Sequence, residues 1–117
     1  MTIKEFYEKH GNYQEALSRL MNDAFINRFL LKFVDGDYLT VTNNAYEGKN
    51  FTGIFEATHA LKGIAGNLAL TDLYSISSQI CEATRNLKEG ESIILDEQMK
   101  KLNEIYLEVV KDIKEIK

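Results

Sequence analysis

An imidazole, a primary amine and two glycines share one face of a helix that the sequence predicts between about Asn50 and Leu68: His59, Lys62, Gly63 and Gly66. Within it Ile54, Thr58, Leu61, Ala65 and Leu68 recur at helical spacing. At 100° per residue these five fall within about 40° of Ile54 and make one apolar stripe. On the same wheel Lys62 lies at about 80°, Gly66 at about 120°, His59 at about 140° and Gly63 at about 180°. All four point away from the stripe, towards solvent. A glycine in an exposed helix is roughly 0.5–1 kcal/mol worse than alanine. Two of them beside a histidine leave bare backbone, over which something large can approach the ring. An imidazole, whose ordinary pKa is about 6.5, is a competent nitrogen nucleophile near neutral pH. Lys62, three residues on, can bring an ammonium to an anion carried by that nitrogen. That combination points to phosphoryl transfer.

The run His59-Ala60-Leu61-Lys62-Gly63, followed by Asn67-Leu68, resembles the phosphorylation motif of histidine-containing phosphotransfer (HPt) domains. The motif covers about a dozen positions, and the helical pattern around it extends the likeness over most of the chain. The resemblance implies His59 as phosphoacceptor, Lys62 as its charge partner and Gly63 as the access position. It places Arg85 where relatives often carry a basic residue at the partner surface. It also implies partners: receiver domains of response regulators, and hybrid histidine kinases. Phosphoryl would pass from a receiver phospho-aspartate to His59 and on to a second receiver. Two positions depart from the family pattern. Cys81 stands where many relatives have a glutamine that orients the imidazole, a role left to Gln79 or a water. Ala69 stands where a glycine usually follows Asn67-Leu68.

The elements that position these residues are helices. Thr2 with Glu5 opens a short one that His10-Gly11 closes, and Asn12 with Glu15 opens the next. A third runs from near Asn22 through Phe25, Ile26, Phe29, Leu30 and Phe33, and all three phenylalanines are expected in the core. Four longer elements follow at about 37–48, 50–68, 71–89 and 92–116, the fourth opened by Ser92 or Asp96 and Thr71 capping the third. Only Tyr38-Leu39-Thr40-Val41-Thr42 could also be read as a strand. The expected fold is all-α: an antiparallel four-helix bundle with one or two short N-terminal helices, in one domain over 1–117. The 22–34 helix competes for a place in it. The short link Ala69-Leu70 makes the His59 helix and its successor antiparallel neighbours. Ser78 and Arg85, seven apart on that successor, share a face beside the His59 surface.

Composition narrows the function further. The net charge is −4, with no basic run, which argues against nucleic acid. No stretch approaches the roughly 18 apolar residues of a membrane span, and the first residues read as helix, not signal peptide. One cysteine, Cys81, excludes an internal disulfide and a cysteine zinc cluster. The paired Glu-x-x-His motifs of a bundle metal site are not present, so no bundle metal site and no cofactor is expected. With no glycine-rich nucleotide loop, the chain reads as a cytoplasmic, monomeric phosphohistidine carrier and not an enzyme. The alternative is a helical adaptor that docks partners without using the histidine. His10, before Gly11, is assigned to bonding helix-end carbonyls. The run Lys111-Asp112-Ile113-Lys114-Glu115 is assigned to a solvated face.

Overall fold

In the computed structural model, which describes residues 1–117, every regular element is an α-helix. Thr2 and Glu5 form a reciprocal capping box at the start of α1 (Ile3–His10). Asn12 caps α2 (Tyr13–Leu20), Asn22 caps α3 (Asp23–Val34) and Asn50 caps α5 (Phe51–Asn67). Each asparagine oxygen accepts from a backbone N–H three residues on. The helices α4 (Tyr38–Glu47), α6 (Thr71–Arg85) and α7 (Asp96–Lys114) begin without a side-chain cap. The ambiguous Tyr38–Thr42 run is therefore the opening of a helix. Thr71 is the first residue of α6, and Leu70 holds the cap position expected of it. Residues 86–95 form a connection, so α6 stops short of Glu89 and α7 starts at Asp96. The Lys88–Glu91 turn, with Gly90 at φ 87°, breaks the helical run there.

Helix α5 packs along α6, α4 lies against α5, α6 against α7, and α4 also touches α7, so these four neighbour one another in a closed order. The predicted stripe is buried at all five positions, and its apolar members belong to one core with Leu73, Ile76 and Ile80 of α6 and Leu102 and Val109 of α7. Thr58 is admitted to that stripe because its hydroxyl donates to the Ile54 carbonyl at 2.7 Å. Helix α3 packs on α2 and α7, where Phe33 meets Tyr106 with ring centres 5.1 Å apart. Phe25 and Phe29 are not core residues, being 39% and 41% exposed. Ile26, Leu30 and Phe33 take the inward stripe of α3, which turns the residues before Ile26 and Leu30 about 100° outward.

The first two helices close the end of the molecule where α5 turns into α6. That turn has Ala69 at φ 55°, with Leu70 N–H donating to the Ala65 carbonyl and Ala69 N–H to the Gly66 carbonyl, a Schellman ending. Carbonyls at this end also accept from other elements. Tyr7 donates its hydroxyl to Leu68 at 2.7 Å, Asn12 its backbone N–H to Ala69 at 3.0 Å, and Arg19 its guanidinium to Gly66. Gly11 lies so close that a Cβ there would collide with the Ala69 carbonyl. His10 and Asp112 both depart from expectation. The imidazole is buried and its Nε2 lies 2.7 Å from Asp112 Oδ2, which also receives Lys9 Nζ at 2.8 Å. Asp112 is thus an inward residue of α7 facing α1, not part of a solvated face. No helix is long and apolar enough to cross a membrane.

Candidate functional site around His59

His59 stands on the middle of α5, exposed, immediately after the buried Thr58. With Lys62, Gly63, Gly66 and Asn67 of the same helix, Arg19 of α2 and Tyr74 of α6, it lines a shallow depression of about 460 Å³. The two glycines do different things in it. A Cβ on Gly63 would meet nothing within 4 Å, so this turn of backbone is bare to solvent. A Cβ on Gly66 would touch the Tyr74 ring at 3.4 Å, so here glycine lets the phenol lie close to α5. Lys62 Nζ sits 5.9 Å from the centre of that ring.

The imidazole makes no hydrogen bond within the chain, and its neighbour is aromatic. Phe55, one turn earlier, lies with its ring centre 5.7 Å from that of His59 at an interplanar angle of 36°. On Phe55 rests the Arg85 guanidinium, 5.3 Å from the ring centre. Arg85 in turn pairs with Glu82 at 2.8 Å. Hydrogen bonds from Arg85 hold the Glu82 carboxyl below the usual range against a smaller opposing effect of burial, and the charges of Arg85 and Lys62 add to this. Cys81 is fully buried, and Gln79 is exposed with its amide 3.5 Å from Ser75. Neither orients the ring, and Phe55 is the only aromatic neighbour it has.

Of the residues singled out in the sequence, His59, Lys62, Gly63 and Gly66 come together in one depression. Arg85 reaches it through Phe55, while Ser78 lines a separate hollow with Tyr74, Ser75 and Glu82. Arg19, Phe55 and Tyr74 are the residues that sequence reasoning missed. Two of them follow from the tight α5–α6 turn. Antiparallel helices of equal rise pair residues at a constant sum of their numbers, and Gly66/Tyr74 and Phe55/Arg85 share one sum. Arg19 carried no such signal, because its approach depends on how α2 crosses the turn. Chemically the site offers an exposed nitrogen nucleophile with two nearby cations, Lys62 and Arg19, over unobstructed backbone. No group of three or more His, Cys, Asp or Glu side chains is arranged to hold a metal. No protein-family model, curated protein or solved structure matches the chain.

Proposed function

We propose that this chain is a phosphohistidine carrier of the HPt kind, built as a four-helix bundle of α4–α7 with α1–α3 packed on it. The observation that carries the reading is the open approach to His59: an exposed imidazole one turn from a glycine whose Cβ would meet nothing within 4 Å. A receiver domain bearing phospho-aspartate docks over that turn. The lone pair of an unprotonated ring nitrogen forms the N–P bond as the P–O bond to the aspartyl carboxylate breaks. The carboxylate leaves with the bonding pair, and the proton on the other ring nitrogen passes to solvent. Reversal with a second receiver, or with the receiver part of a hybrid histidine kinase, completes the relay. Lys62 stabilises the phosphoryl charge, with Arg85 and Gly66 at the docking rim and Ser78 farther out. The chain acts as a monomer in the cytoplasm, without nucleic acid, membrane or cofactor, and is not an enzyme in its own right.

Incubation with a phosphorylated receiver, followed by a search for acid-labile label, tests this reading. Wild type is expected to take the label, and His59→Gln to remain folded and take none. A wild type that docks the receiver but never labels would make the chain a non-phosphorylated adaptor. A labelled His59→Gln would remove the assignment of the acceptor. Lys62→Ala should slow transfer several-fold without abolishing it, because the receiver supplies its own magnesium charge. Unchanged transfer kinetics would return Lys62 to the surface lysines.

A further inference from the structure

A second hollow, of about 480 Å³, opens where α2, α3 and the C-terminal end of α5 meet. Phe33 and Leu68 form its floor and are 3% and 4% exposed, so it reaches down to the core. Phe29 and Ile64 wall it, and Arg19 and Lys32 complete its polar edge. Its volume falls in the range of about 300–1,000 Å³ common for small-ligand sites, and its make-up is theirs: apolar walls with a few polar groups. Charge gives the class of ligand. In a chain of net charge −4, two cations and no carboxylate line this hollow. Arg19 is already paired with Glu15 at 2.7 Å, whereas Lys32 has no acidic partner. Phe29, 41% exposed in the folded chain, gains by being covered.

We propose that this hollow binds a small amphipathic carboxylate, its apolar body against Phe29, Phe33, Ile64 and Leu68 and its anion against Lys32. A neutral amphiphile would gain the apolar contacts and forgo the charge. A cationic one would meet two positive side chains. A concave site floored by nearly buried residues suits a compact ligand better than the flat face of a partner helix. The site adjoins the His59 depression, with which it shares Arg19 and Asn67, but His59 does not line it and the proposal does not rest on phosphoryl transfer.

The test is a nuclear magnetic resonance titration of the full chain with decanoate below its micellar concentration, with decanol and decyltrimethylammonium as neutral and cationic counterparts. Decanoate is expected to shift amides of α2, α3 and the end of α5 saturably, and to bind at least tenfold tighter than decanol. Decyltrimethylammonium should be the weakest. Lys32→Ala and Lys32→Gln, both at an exposed helical position, should bring decanoate down to the level of decanol. Phe29→Ala should weaken the acid and the alcohol alike, and Lys101→Ala on α7 should change neither. Equal affinity for acid and alcohol, shifts scattered over the surface, or no saturation would each overturn the proposal. So would a hollow that ignores decanoate and is covered only by a partner's helix. His59→Gln should bind decanoate as wild type does, which keeps the outcome independent of whether His59 is phosphorylated.

Discussion

At the scale of single residues, Gly63 separates access from stability. Nothing lies within 4 Å of the place its Cβ would occupy, so alanine there adds helix propensity and meets no clash. Gly63→Ala should stabilise the isolated protein by about 0.5–1 kcal/mol, read as a raised melting temperature. Gly63→Gln should keep much of that gain yet transfer phosphoryl markedly more slowly, because its side chain stands one turn from the imidazole. A glutamine variant that transfers at the wild-type rate would end the steric argument. The helical wheel sufficed to find this face, since the positions off a buried stripe are fixed by 100° steps. It could not tell that Gly66 serves Tyr74 and not open access, because that distinction lies on a different helix. Nor could it reveal Phe55 beside His59, which stands one turn away at a spacing shared by any number of helical pairs.

At the scale of elements, what was legible followed from local chemistry. Thr2, Asn12, Asn22 and Asn50 mark helix starts because each side-chain oxygen can reach a free N–H three residues on. Where a start has no side-chain cap, as at Leu70 and Leu95, the boundary was displaced or left open between two candidates. Helix ends show the same divide. Three helices end with a non-glycine residue at positive φ, Met21 at 74°, Lys49 at 53° and Ala69 at 55°, and none of these residue types announces that conformation. At Ala69 a glycine would sit without Cβ strain, whereas alanine is held in this conformation at a turn whose adjoining carbonyls are bonded by Tyr7 of α1 and Arg19 of α2. Lys49 is the cleaner probe, because it is exposed and carries no tertiary bond from its side chain. Lys49→Gly should relieve the strain and raise stability by up to about 1 kcal/mol, the relief outweighing the extra freedom of the unfolded chain. A loss of stability in thermal unfolding would mean that the added freedom of the unfolded chain outweighs the strain relieved at this turn.

At the scale of the whole molecule, α1 is fastened to α7 by a polar cluster in an otherwise apolar contact, and that cluster sets an acid limit on the fold. Asp112 receives Lys9 at 2.8 Å and His10 at 2.7 Å. Burial alone would raise its carboxyl, but hydrogen bonds from Lys9 and His10, reinforced by their charges, outweigh it and hold the group below its ordinary value of 3.8. The native state therefore keeps this carboxylate charged at pH values where the unfolded chain has begun to bind a proton. Its contribution is present above the ordinary value and is lost as pH falls through the lower, native one. Asp112→Asn should lower stability by about 1.5–3 kcal/mol near neutral pH, since it removes a buried charged acceptor and leaves His10 with a poorer partner. The gap between variant and wild type should narrow in unfolding curves taken well below about pH 4, where the wild-type carboxylate is itself protonated. Release of α1 would also free the carbonyl of Leu68 at the end of α5, half a helix length from His59, so the acid-weakened form should lose protection of amides in α1 before those of α5 and α6. A gap of the same size at both pH values would mean that Asp112 acts through packing and not through its charge.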